Sequence, residues 1–116
     1  GATVPPDALD AAILRRAREL LADESVWDRA DDRDCAPGDT TFSLYCALHR
    51  ASLEQAGGFH HRRPALEAVR AVVDRRSAGR GYAHRLRDWN NDARTTLAEV
   101  HAALDEALAG IPAAPQ

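Results

Sequence analysis

Through Thr40–Ala56 apolar side chains recur at steps of three and four, with Phe42, Cys46, His49, Leu53 and Ala56 in one row and Leu44, Leu48 and Ala51 beside it. A helix apolar over so much of its circumference is expected to be wrapped by others rather than laid on a surface. Asp39 or Thr40 is the expected cap at its start, and Gly57-Gly58 ends it because glycine accepts the left-handed conformation of helix C-termini. Its two charges, Arg50 and Glu54, stand four apart and are expected to pair along the wet edge.

The same periodicity predicts helices on either side. Leu9, Ile13, Ala17, Leu20 and Leu21 give an apolar stripe over about Pro6–Ala22, entered through Pro5, Pro6 and Asp7. Pro64 opens a third helix with Leu66, Val69, Val72 and Val73 on its buried side, closed by Ser77-Ala78-Gly79. Tyr82, Leu86 and Trp89 predict a short amphipathic helix, broken by Asn90-Asn91-Asp92, whose side chains bond their own backbone. Thr96 and Glu99 match the reciprocal capping box ahead of a last helix striped by Leu97, Val100, Leu104, Ala107 and Leu108. Gly110 and Pro112 end it, and Pro112–Gln116 is expected to be loose.

Between the first two helices, Asp23–Asp39 carries seven acids around one large apolar residue, Trp27, which is expected to pin this loop to the core. No alternation typical of strands and no internal repeat is present. The expected fold is therefore all-α: a single domain over residues 1–116, its core within 6–109, built as an irregular or orthogonal bundle of four longer helices and a short one.

Composition changes this picture in two ways. Nearly half of the 116 residues are apolar, but many are alanine, so the core rests on few large side chains. Charge is also unevenly placed. Residues 57–94 hold nine arginines against four acids, whereas residues 1–40 hold ten acids against five arginines. No stretch reaches the roughly 18 apolar residues of a membrane span, and no basic region leads into an apolar one, so a soluble, cytoplasmic protein is expected. Gly1 stands where a methionine would begin a chain, which leaves a removed leader open.

Two stretches together carry a resemblance. Tyr45-Cys46-Ala47-Leu48, and later Trp89-Asn90-Asn91-Asp92 with Arg94-Thr95-Thr96-Leu97-Ala98-Glu99-Val100, resemble a family of small actinobacterial and actinophage proteins of uncharacterised function. Its members carry an aromatic-Cys-Ala-x-Gly-Ala motif, a Trp-Asn-Asp turn and a Thr-x-x-Glu-Val helix start. The resemblance covers Thr40–Leu108 and implies an all-helical fold, with no established activity. His49 replaces the motif's glycine and Asn91 is inserted in the turn, leaving either Asn90 or Asn91 for the asparagine's role.

Four chemistries are open to these residues. Cys46 with His49, His60, His61 or His84 and with Asn90 or Asp92 supplies the types of a nucleophile arrangement. A thiol in an apolar row is, however, more simply a small core hydrophobe, and no catalytic residue is assigned. Cys35, Cys46, His49 and His60 or His61 supply zinc's preferred ligands without the paired short spacings of structural zinc sites, so no metal or cofactor is expected. A Cys35–Cys46 disulfide fits an oxidising compartment and is disfavoured in the cytosol. The tract with Arg62, Arg63, Arg70, Arg85 and Arg87, beside Trp89 and Asn90, is the expected binding surface. Nucleic acid is disfavoured there, because the acidic loop can lie over the arginines and the overall balance is acidic.

The expected function is accordingly a non-enzymatic interaction or accessory protein that meets a protein partner or a second copy of itself. The alternative is a small enzyme or ligand-binding protein with a pocket between helix 40–56 and the Trp89 turn, using Cys46, His49, Asn90 and Asp92. Trp89-Asn90-Asn91-Asp92 is read first as a structural turn and second as a ligand site.

Overall fold

A computed structural model describes residues 4–112 and contains five helices: α1 (Ala8–Leu20), α2 (Leu44–Ala56), α3 (Pro64–Arg76), α4 (Arg85–Asn91) and α5 (Leu97–Ala109). Four are long and one is short, as the periodicity predicts. Part of the expected loose tail, residues 113–116, lies outside the described residues. α1 packs on α2 and α5, while α3 packs on α5 and α4, and α2 reaches α4. The core between them takes Ile13, Leu14 and Ala17 from α1, and Leu44, Ala47, Leu48 and Ala51 from α2. Leu66, Val69, Val72 and Val73 of α3, Leu86 and Trp89 of α4, and Val100 and Leu104 of α5 complete it. Each of the leucine, isoleucine and valine side chains contributes roughly 1.5–3 kcal/mol by leaving water.

The central helix departs from expectation at its start and along one face. Its cap is Ser43, whose hydroxyl accepts from the Cys46 N–H at 3.1 Å, and neither Asp39 nor Thr40 fills that role. Phe42 lies before the helix in an extended bridge to Trp27, closed by Asp28 N–H to Phe42 O at 2.8 Å and Phe42 N–H to Val26 O at 2.7 Å. Of its two apolar rows, the one with Leu44, Leu48 and Ala51 is buried, whereas Leu53 is 42% exposed and His49 half-buried. The periodicity registers both rows as apolar; the row of Leu44 is covered throughout, and that of Phe42 only at Phe42 and Cys46.

Arg50 and Glu54 do not pair. Glu54 takes the Arg16 guanidinium of α1 at 2.6 Å, and Arg50 donates to the carbonyls of Ala36 and Pro37 while lying 5.1 Å from the Phe42 ring centre. α4 also begins later than its apolar spacing suggests. Tyr82 precedes it, and Asn90 and Asn91 form its last turn instead of breaking it. At α5, the Thr96 hydroxyl accepts from Glu99 N–H at 3.1 Å, so the threonine half of the capping box is present.

One polar residue of α1 organises two helices. Asp10 is buried; its Oδ2 accepts from Asp7 N–H at 2.9 Å, closing the capping box of α1 with Asp7. Its Oδ1 accepts from Ala65 N–H at 3.1 Å and lies 3.3 Å from Arg63 Nε. The first turn of α3 has no cap of its own, because Arg63 offers no side-chain acceptor, and Asp10 supplies it from 55 residues away. Asp10→Ala is expected to lower stability by about 2 kcal/mol, measured as a shift in urea midpoint, with Asp10→Asn recovering part of it.

The loop between α1 and α2 is held by amides. Trp27 folds back as expected, buried, and its indole N–H donates to Asn90 Oδ1 at 2.8 Å. The same oxygen accepts from Leu44 N–H at 3.0 Å, and Asn90 Nδ2 donates to Asp28 O and to Asn91 Oδ1. Asn91 in turn grips Asp31 by both backbone groups, N–H to Oδ1 at 2.8 Å and Nδ2 to O at 2.9 Å. Arg29 lies 4.7 Å from the Trp27 ring centre and donates to Thr95 O at 2.8 Å.

Cys46 is not a free thiol. It is bonded to Cys35, with the Cα atoms 5.4 Å apart, so the acidic loop is also tied covalently to α2. This corrects the reading of Cys46 as a solitary core sulfur. An apolar row hides a half-cystine as readily as a thiol, and periodicity cannot separate them.

Candidate functional site

The acids and arginines do not meet as the charge pattern suggests. Among the described residues, no acid between Asp23 and Asp39 joins an ion pair with the arginine-rich segment. These carboxylates turn their own backbone instead: Asp23 accepts from Ser25 N–H, Asp28 from Ala30, Asp31 from Arg33 and Asp32 from Asp34, at 2.8–2.9 Å. The arginines find other partners. Arg63 meets Asp10, Arg70 meets Glu67, Arg75 and Arg76 meet Glu106, Arg80 and Arg94 meet Asp92, Arg85 meets Asp74, and Arg87 meets Asp88. Of the nine arginines in residues 57–94, this leaves Arg62 without an ion pair among the described residues.

Arg62 opens on two adjoining recesses of about 210 and 550 Å³, which share Arg33, Tyr45, His61, Arg62 and Arg70 as walls. The smaller adds Glu67, His84, Arg85, Leu86 and Arg87, and the larger adds Phe59 and His60. The α2–α3 connection, the first turn of α2, the outer face of α3 and the start of α4 thus converge on one cationic cleft. Arg70 is fixed there by Glu67 at 2.6 Å and by a bond to the His61 carbonyl. Phe59 packs edge-on to Tyr45, with ring centres 5.6 Å apart, and lies 4.6 Å from the His49 ring, so the three rings form one aromatic wall. Burial, with the neighbouring Arg50 charge, holds the His49 imidazole below its ordinary pKa.

Arg33 reaches this cleft from the far loop, and its backbone is held in the left-handed region at φ 63°. A side chain with a Cβ occupies that region only at a cost of about 1 kcal/mol, so the surroundings must impose it. They do so on both sides: two residues before, Asn91 clamps Asp31, and two residues after, the disulfide fixes Cys35. Asp31 Oδ1 accepts from Arg33 N–H at 2.8 Å to close the turn, and burial pushes the Asp31 carboxyl above its ordinary pKa. Arg33 itself joins no ion pair among the described residues.

The other residues singled out from sequence fall elsewhere. Cys46 and His49 line a recess of about 50 Å³ beside the disulfide, and bonded sulfur is neither a nucleophile nor a zinc ligand. Asn90 is fully buried within the loop clamp, and Asp92 accepts from the Tyr82 hydroxyl at 2.5 Å and from Arg94, whose guanidinium holds it well below the usual carboxylate range. Cys46, His49, Asn90 and Asp92 therefore do not converge on a pocket. Trp89 is core, and Arg63 serves Asp10. No group of three or more His, Cys, Asp and Glu side chains is placed to hold a metal ion among the described residues. Of the expected binding set, Arg62, Arg70, Arg85 and Arg87 line the cleft. Arg33 and Tyr45 were not expected there; Arg33 sits in sequence among aspartates, and nothing local signals where its loop lands.

The model of a family of unknown function, DUF6197, matches residues 5–109. The chain belongs to that family. The match spans all five helices and the loop that carries Arg33, and so includes every wall of the cleft. No match is found among curated proteins or among solved structures. No helix of the described residues is long and apolar enough to cross a membrane.

Proposed function

We propose that the chain is a non-enzymatic binding protein whose working surface is the arginine-lined cleft, and that its partner is a protein presenting an anionic segment. The observation that supports this is the selective pairing of the arginines: those around the cleft are neutralised by local acids, whereas Arg33 and Arg62 face a common space without one. Two guanidinium groups without an acid partner on one concave surface favour an anion, because each presents a fork of donors and a full positive charge.

Two other readings weaken on the same geometry. Nucleic acid needs a continuous basic track, and pairing breaks the arginine tract into local ion pairs. The enzyme reading relied on a Cys46 nucleophile, and that sulfur is in a disulfide. The disulfide also favours an oxidising setting over the cytoplasmic one expected from composition.

Anisotropy of a labelled oligoglutamate peptide titrated with the full chain tests the proposal. Binding is expected, weakening as salt rises, and Arg62→Glu should weaken it by about tenfold or more. Salt-independent binding, or an unaffected Arg62→Glu variant, would remove the cleft as the binding surface. Sedimentation of the chain alone reads the competing case of a second copy as partner.

A further inference from the structure

We infer that the anion held in this cleft is a phosphate monoester, seated between Arg33 and Arg62. The inference rests on the binding reading above and names its chemistry. Charge carries the argument. Arg33, Arg62, Arg70, Arg85 and Arg87 line the cleft, and the last three are matched by Glu67, Asp74 and Asp88 at 2.6, 2.7 and 2.9 Å. Two positive charges remain. A single carboxylate or a sulfate ester neutralises one of them, whereas a phosphate monoester near neutral pH carries about −1.5 to −2. Asp32 and Asp34 flank Arg33 in the chain but line neither recess.

Donor geometry agrees with the charge. Each guanidinium presents a planar fork, and two forks lining the same recesses match the several acceptor oxygens of a tetrahedral anion better than the two of a carboxylate. One wall is built deliberately: Arg33 is carried at positive φ between two anchors, a conformation whose local cost is retained where its side chain has a use. Beside the arginines, Tyr45 and Phe59 form an apolar shelf in the larger recess, placed for the organic part of the ester.

Backbone-amide NMR of the full chain at about pH 7.5, where the monoester is a dianion, decides it with three probes: phenyl phosphate, phenyl sulfate and benzoate. Phenyl phosphate is expected to bind about tenfold or more tightly than either of the others, shifting the amides of Arg33, Tyr45 and Arg62. Arg62→Gln and Arg33→Gly should each weaken it by about tenfold. Glycine suits the φ of 63°, so Arg33→Gly removes the guanidinium while leaving the turn and the melting temperature in place.

Equal affinity for the three anions, or shifts confined to other residues, would overturn the monoester site. If oligoglutamate still binds in that event, the binding reading survives it; loss of both removes both. A phosphoserine peptide binding more tightly than adenosine monophosphate identifies a phosphorylated protein segment as the source, and the reverse order identifies a small-molecule monoester. Either order supports the site.

Discussion

Asn90→Ala should unfold this protein about 15 °C earlier than the parent chain, a loss of about 3–5 kcal/mol. The amide is fully buried, and its removal strands the Trp27 indole N–H, the Leu44 N–H and the Asp28 carbonyl together. Each such group left without a partner in the interior costs about 1–3 kcal/mol. The comparison variant is Trp27→Phe, which keeps most of the ring's apolar surface and removes a single donor, and should cost about 1–2 kcal/mol. Because both residues share one bond, the double variant is expected to lose less than the two singles combined. Thermal melting of the four proteins reads all of this. A small effect of Asn90→Ala would show that these bonds do not hold the fold, and the loop clamp would have to be abandoned.

The second large effect is covalent. Cys35 and Cys46 close a loop with a sequence separation of 11. Confining the unfolded chain by a loop of that length stabilises the fold by about 3 kcal/mol on the chain-entropy account. The Cys35→Ala/Cys46→Ala variant should therefore show a lower urea midpoint, and reductant should lower the parent's midpoint but not the variant's. Native alkylation before reduction should leave both sulfurs unlabelled. A parent protein indifferent to reductant would show that the bond is not part of the fold. The loss is expected to be local as well: Arg33 stands two residues from Cys35, so hydrogen exchange at Arg33 and Asp34 should quicken on reduction more than exchange in α5.

The two variants separate parts of the structure that look alike in sequence. Asn90-Asn91 reads as a helix breaker because asparagine competes for backbone bonds. Here both amides point away from their own helix and satisfy a loop some 60 residues earlier, so α4 runs through them. Asp10 is a similar case. Its place in the first turn of α1 gives it a local role, and burial beside Ala65 gives it a second one that no spacing in α1 reveals. Arg50 and Glu54 show the reverse: spacing offers them to each other, and closer partners on α1 and the loop take them.

The cleft follows the same rule. Arg62, Arg70, Arg85 and Arg87 belong to a segment whose arginine excess is visible in the sequence. Which of those charges stays available is settled by Glu67, Asp74 and Asp88 lying within ion-pair distance of three of them. Arg33 enters from an acidic stretch, delivered by a clamp and a disulfide that join residues distant in the chain.

By itself the sequence determined the five helices and most of their apolar faces, because those depend on side-chain period and on capping within a few residues; a lone large apolar residue in a polar loop is enough to expect Trp27 to fold back. Tertiary structure alone decided how much of each row of α2 is covered, that the two cysteines are bonded, which acid neutralises which arginine, and that Arg33 joins Arg62 at one cleft. These outcomes depend on distances between chain-remote groups. The bonds and charges that fix them act over only a few ångströms, a range to which periodicity is blind.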